Sequence, residues 1–130
     1  MSRPQIFVAR DTETGLVIAD HVRVAATRAE RRRGLLGRSH LQPGEALLIT
    51  PCNGVHMFFM RFPIDMLALD KNGLVVDAVS DLRPWRIRLP KRGSHSVLEM
   101  AAGTILQTQT KIGHRIAIDL RASMPATEVA

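Results

Sequence analysis

Ile64-Asp65-Met66-Leu67-Ala68-Leu69-Asp70-Lys71-Asn72-Gly73-Leu74-Val75-Val76-Asp77-Ala78-Val79 is the stretch whose reading decides the fold. Two apolar runs of strand length flank Lys71-Asn72-Gly73, and Asn-Gly readily takes the positive φ angles of a tight hairpin turn. The prediction is a pair of antiparallel strands, Ile64–Asp70 and Leu74–Val79. Downstream, Ile87–Leu89, Ser96–Met100 and His114–Leu120 read as further strands. The last alternates Ile116 and Ile118 against Arg115, Ala117 and Asp119, the period of a sheet with one wet face. Ala101–Gln109 carries both loop and helix signals.

Upstream, Gln5–Ala9, Leu16–Ala19, His21–Ala26, Ala46–Thr50 and Val55–Phe62 have strand character, and Asp11-Thr12-Glu13-Thr14-Gly15 is a turn between the first two. Thr27-Arg28-Ala29-Glu30 fits a capping box and predicts a helix beginning at Arg28. That helix must be short, because Gly34 and Gly37 weaken its continuation and Leu41-Gln42-Pro43-Gly44 turns the chain. About nine strands with one or two short helices predict a mainly β fold. The expected architecture is an antiparallel β sandwich or barrel-like domain over residues 1–120, followed by a disordered tail at 121–130.

With 130 residues, of which 45% are hydrophobic and 23% charged, the chain can bury about two thirds of its surface in one core. A single cysteine excludes an intramolecular disulfide framework and multi-cysteine metal sites. Neither GxGxxG nor GxxxxGK[ST] occurs, and no strand–helix rhythm argues for a nucleotide-binding sheet. The apolar stretch around Ile6–Ala9 is too short for a secretory core, and Val55–Leu69 is interrupted by Arg61, Pro63 and Asp65. The expectation is a cytoplasmic protein that does not enter a membrane.

The central segment nominates a site. If Val55–Phe62 is one strand, His56, Phe58, Met60 and Phe62 share a face, and Met57, Phe59 and Arg61 share the other. Both faces are then apolar, so the Arg61 guanidinium needs an acidic partner, with Asp65, Asp70 and Glu99 as candidates. Glu99, set in Val97-Leu98-Glu99-Met100, would be costly to bury alone. The expected ligand site is a pocket of His56, Met60, Arg61, Asp65 and Glu99 for a small polar or anionic molecule. The competing reading is a structural ion pair that fixes strand register.

Other chemistries have weaker support. His56, Met57, Met60 and Cys52 offer soft metal donors, but His56 and Met60 would lie about 13 Å apart on an ideal strand, so no metal or other cofactor is assigned. Cys52 follows a proline in no known nucleophile signature, and no catalytic motif is present. The formal charge of +6 and fifteen arginines among eighteen basic residues favour an anionic partner. As an alternative function, Arg83, Trp85, Arg86, Arg88, Lys91 and Arg92 could track nucleic-acid phosphates, with Arg86 and Arg88 pointing outward together. Low aromatic content and the absence of tyrosine count against stacked bases. The bland explanation is an arginine-guarded edge strand. Arg31, Arg32 and Arg33 read as an ordinary charged helix face, while Arg33 or Arg38 could add to an anion-binding edge.

Several blocks together resemble the domain of unknown function 192 family. They are Arg33-Gly34-Leu35-Leu36-Gly37-Arg38, Gly44-Glu45-Ala46-Leu47-Leu48-Ile49 and His56-Met57-Phe58-Phe59-Met60-Arg61-Phe62-Pro63-Ile64-Asp65-Met66. Leu69-Asp70-Lys71-Asn72-Gly73-Leu74-Val75-Val76 and Val97-Leu98-Glu99-Met100-Ala101-Ala102-Gly103 follow in the family's order. The resemblance spans Val22 to Ile118 and implies a compact, mainly β sandwich-like domain. It implies no reaction.

Overall fold

The hairpin at Lys71-Asn72-Gly73 forms as its sequence demands. In the computed structural model, which describes residues 5–52 and 54–121, Asp70 Oδ1 accepts hydrogen bonds from the Asn72 and Leu74 N–H groups at 2.8 and 2.9 Å. Gly73 sits at φ +84°, and a Cβ there would come within 2.6 Å of the Ile116 carbonyl oxygen, so only glycine closes this turn. The turn joins β5 (Ile64–Leu69) to β6 (Val75–Leu82), paired antiparallel.

The remaining elements are β1 (Phe7–Asp11), β2 (Val17–Ala25), α1 (Arg28–Arg33), β3 (Glu45–Ile49), β4 (Val55–His56), β7 (Ile87–Arg88), β8 (Ser96–Ala101), α2 (Thr104–Thr108) and β9 (Ile116–Leu120). Seven strands form one curled sheet in the order β6-β5-β8-β3-β2-β1-β9, a half-barrel, and β4 and β7 form a separate two-stranded arm. The mainly β prediction with two short helices holds. Residues 122–130, nearly all of the expected tail, lie outside the described residues.

Every residue of β5 and β8 is buried, because these central strands are covered on both sides. One face packs Val22, Leu67, Leu98, Met100 and Ile116. The other packs Leu35, Met57, Met66, Ala68 and Val97. Leu67 and Leu98, opposite each other and fully buried, each contribute about 2 kcal/mol by removal from water.

The structure departs from the sequence reading at two places that shape the site. The stretches 16–19 and 21–26 are one strand, β2, and it runs parallel to β3. Parallel neighbours require a crossover, and α1 with the loop that follows supplies it, lying between the two strands in sequence. The predicted strand Val55–Phe62 ends at His56. Met57 turns inward to 1% exposure. Its N–H donates to the Arg86 carbonyl at 2.7 Å, and its carbonyl accepts from Trp85 N–H at 2.8 Å and Met60 N–H at 3.2 Å. These bonds draw the chain into a turn instead of a ladder, with Phe59 at φ 65°.

Candidate functional site

The register of β5 on β8 decides which acids can meet. Asp65 stands opposite Met100, and Glu99 opposite Met66, so the two carboxyl groups project to opposite faces of the sheet. The expected cluster of Arg61, Asp65 and Glu99 therefore does not form. Asp65 is fully buried and accepts hydrogen bonds from the N–H groups of Asp81 (2.9 Å), Gly103 (3.1 Å) and Ile105 (2.8 Å). Its work is to satisfy backbone donors where β6 ends and α2 begins. Arg61 lies in the turn after Met60, exposed, and does not line the cavity that holds Glu99.

That cavity, about 610 Å³, lies between α1, the segment 49–60 and β8. His56, Met60 and Glu99 line it, as do Cys52 and four arginines of α1, Arg28, Arg31, Arg32 and Arg33. Leu35, Ile49, Val55 and Met57 supply its apolar wall. The volume falls in the range that accommodates a small metabolite.

Glu99 is 6% exposed, and among the described residues nothing hydrogen-bonds its carboxyl. Desolvation pushes its pKa up to about 7, far above the usual carboxylate range. The group therefore exchanges its proton near neutrality, as hydrogen-bond donor when protonated and anion when not. Arg31 is the second unsatisfied group. Its Nη1 donates to the Pro51 carbonyl at 3.2 Å, while its Nε is buried with no partner among the described residues. Two buried polar groups of opposite sign thus line one cavity without their full complement of hydrogen bonds, an arrangement that native interiors rarely leave without purpose.

Sequence supplied the machinery that places these arginines. Thr27 Oγ1 accepts from Glu30 N–H at 3.1 Å, and Glu30 Oε1 accepts from Thr27 N–H at 3.0 Å, the predicted capping box in full. Leu35, just past the helix, is buried in the same core as Met57 and Met66 and so seats α1 over the cavity. Arg38, by contrast, is committed to Glu45 at 2.8 Å, and its hydrogen bond holds the Glu45 carboxyl below the usual range. From sequence, Arg31, Arg32 and Arg33 read as an ordinary charged helix face, with Arg33 also a candidate for an anion-binding edge. No local signal says that a cavity lies beneath them.

The segment proposed for nucleic acid is also partly committed. Arg88 does not point outward with Arg86, because its Nε and Nη2 donate to Asp77 Oδ2 and Oδ1, both at 2.8 Å. A carboxylate as buried as Asp77 needs a cationic partner, and Arg88 is the one it has. Arg83 pairs with Asp81 at 3.1 Å. Trp85, Arg86, Lys91 and Arg92 stand open to solvent. Among the described residues, no three histidine, cysteine or acidic side chains gather as metal ligands, and no helix is long and apolar enough to cross a membrane.

Comparison with known proteins places this geometry in a group without an assigned activity. The chain is 34% identical over 106 residues to a UPF0127 protein of Thermococcus sibiricus, covering 78% of this chain and 68% of that one. It is 35% identical over 101 residues to a UPF0127 protein of Pyrococcus abyssi, covering 73% and 83%. Two crystal structures share the fold. A protein of unknown function from Novosphingobium aromaticivorans matches with a TM-score of 0.73 at 22% identity, over 86% of this chain and 83% of that one. A putative transcription regulator from Sinorhizobium meliloti matches with a TM-score of 0.74 at 24% identity, over 90% and 95%. The sequence pattern of DUF192, described as Uncharacterized ACR, spans residues 8–118, and this chain belongs to that family.

Proposed function

We propose that the protein binds a small anionic metabolite in the cavity beneath α1. The observation that carries this reading is that one cavity is lined by both the buried Glu99 carboxyl and the buried Arg31 Nε, neither of which has a hydrogen-bond partner among the described residues. A carboxylate or phosphate group on the ligand would accept from Arg31 and its neighbours Arg28, Arg32 and Arg33. The ligand's body would lie against Met57, Met60 and Val55, and a polar group at its inner end would meet Glu99. His56 and Cys52 complete the lining.

This reading is a binding function. Glu99 could also serve as a general acid or base, since its pKa lies near working pH, but a reaction would need a substrate bond within its reach. The nucleic-acid reading ranks second, because Arg88 and Arg83 are already paired with acids. A cytoplasmic setting supplies both the metabolites and the reducing conditions that keep the lone Cys52 a thiol.

The test is a thermal-shift screen of di- and tricarboxylates, sugar phosphates and nucleotides against the whole protein. A ligand that prefers the native state raises Tm by mass action, by an amount that grows with its concentration. The increase should vanish in Arg31→Ala and Glu99→Gln while both variants stay folded. No shift from any class, or shifts that survive both substitutions, would overturn the assignment.

A further inference from the structure

A surface beside the cavity carries a second, independent feature. Phe59 is 73% exposed and Trp85 59% exposed, with ring centroids 4.9 Å apart. Phe58 lies 6.0 Å from Trp85 and 5.1 Å from His56. His56 stands opposite Ile87 across the β4–β7 arm, and both Ile87 and Leu89 are largely exposed. Ile87, His56, Phe58, Trp85 and Phe59 thus form one continuous exposed ridge.

Two of its members are held in an unfavourable backbone shape. Phe59 at φ 65° and Trp85 at φ 69° both occupy the left-handed region that bulky side chains avoid. The inward Met57 carbonyl holds them there, accepting from Trp85 N–H and, across the turn, from Met60 N–H. The fold therefore spends strain to present two large aromatic rings to solvent, and neither is repaid by burial within the chain. Within the same two segments, residues 56–62 and 83–92, which contain no acidic residue, Arg83 and Arg88 are paired with Asp81 and Asp77, while Arg61, Arg86, Lys91 and Arg92 make no ion pair among the described residues.

We infer that this ridge docks the protein on an anionic lipid surface, with Phe59, Trp85 and Leu89 entering the headgroup region and Arg61, Arg86, Lys91 and Arg92 meeting lipid phosphates. Charge complementarity selects this occupant. A second copy of the chain would bring the same basic segments face to face and is disfavoured by like-charge repulsion. Single-stranded nucleic acid would satisfy the charges, but it needs open, roughly parallel ring faces. Here Phe59 and Trp85 are tilted 59° and turned against each other. Exposed Ile87 and Leu89 add nothing to base stacking, whereas aliphatic and aromatic side chains over a basic rim are the composition of an interfacial membrane contact. A ridge of this kind lies on the membrane surface and requires no spanning helix.

Trp85 is the only tryptophan of the chain, so its emission reports on the ridge alone. The full-length protein is titrated with vesicles of phosphatidylcholine and with vesicles containing roughly 30 mol % phosphatidylserine, with co-sedimentation in parallel. Phosphatidylserine vesicles should shift Trp85 emission to the blue and pull the protein down, pure phosphatidylcholine should do neither, and added salt should reverse the effect. Phe59→Asn removes an exposed ring and places a residue that tolerates φ 65°, so the variant stays folded while its vesicle affinity falls about tenfold. Arg61→Ser combined with Arg86→Ser should weaken binding by about tenfold or more. Absence of binding to phosphatidylserine vesicles overturns the inference. So does a Trp85 response to polyuridylate that exceeds the response to vesicles, or a concentration-dependent dimer that buries Trp85 without lipid.

Discussion

Arg88 and Asp77 meet in a two-pronged pair, Nε to Oδ2 and Nη2 to Oδ1, that fastens the small β4–β7 arm to strand β6 of the large sheet. Asp77 is 2% exposed, and its side chain would be a buried anion without this partner. The hydrogen bonds from Arg88 hold its carboxyl below the usual range against the opposing effect of burial. In return Asp77 raises the guanidinium above its ordinary value. Because β4 carries Val55 and His56 into the cavity wall, one ion pair positions an edge of the ligand site and the base of the aromatic ridge.

Arg88→Ala should destabilise the protein by about 2 kcal/mol, less than a fully buried pair because the arginine side faces water. Arg88→Lys should recover only part of the loss, since an ammonium cannot match both carboxylate oxygens. The pair also sets an acid limit. A carboxyl whose folded pKa is depressed contributes stability above its unfolded pKa, near 3.8, and loses it as pH falls through the lower folded value. Urea melts of wild type and Arg88→Ala should therefore converge as pH drops below about 4 and separate at neutrality. A gap that stays constant with pH would show that the pair does not couple to titration.

Glu99 behaves in the opposite sense. Its folded pKa, about 7, lies above the ordinary 4.5, so the native state holds the proton more tightly than the unfolded chain. Its unfavourable contribution is absent below pH 4.5 and grows as pH rises to about 7, where it levels off. Glu99→Gln keeps the shape without the charge. It should match wild type at acidic pH and exceed its stability by about 3 kcal/mol above pH 8, while abolishing ligand-induced shifts in Tm. Equal stability of the two proteins across pH 4 to 8 would refute the idea that an ionised carboxyl is held there at a cost.

Asp65 provides the structural counterpart. Three backbone N–H groups converge on its buried carboxylate, and Asp65→Ala would leave all three without an acceptor. The expected loss is about 3 kcal/mol or more by chemical denaturation. Asp65→Asn keeps one acceptor oxygen and should lose less. Both variants, where folded, should retain ligand response in the cavity, because Asp65 lies on the other face of the sheet from Glu99.

This division between Asp65 and Glu99 marks where sequence reasoning stops. The Asn72-Gly73 hairpin, the start of α1 at Arg28 and the burial of Glu99 each follow from neighbours a few residues away, and all were legible. Whether two acids share a cavity depends on strand register, and a shift of one residue reverses every side chain. Nothing within Ile64–Leu69 or Ser96–Ala101, both apolar throughout apart from the acids and Ser96, fixes that register locally. The end of β4 at His56 is hidden for a similar reason. His56-Met57-Phe58-Phe59-Met60 has strand propensity, but the Met57 hydrogen bonds to a segment near Trp85 override it. The α1 arginines became site residues only when Leu35 packed their helix over the cavity.

The cap of α1 links local structure to the proposed binding. Thr27→Ala removes the acceptor for Glu30 N–H and half of the reciprocal box, a change of about 1 kcal/mol for a helix only six residues long. Such a helix has little propensity to form without its cap and its tertiary contacts. Since Arg28, Arg31, Arg32 and Arg33 reach the cavity from this one element, its fraying should disperse them together. Thr27→Ala should therefore lower affinity for the anionic ligand by more than Arg28→Ala alone, although Thr27 does not itself line the cavity. Thr27→Ser and Thr27→Asp, both good caps, should restore binding. Calorimetric titration of the four proteins with the best ligand from the screen separates the alternatives. Affinity that follows cap quality ties the site to helix order, and affinity indifferent to residue 27 would mean that Leu35 packing alone holds the arginines in place.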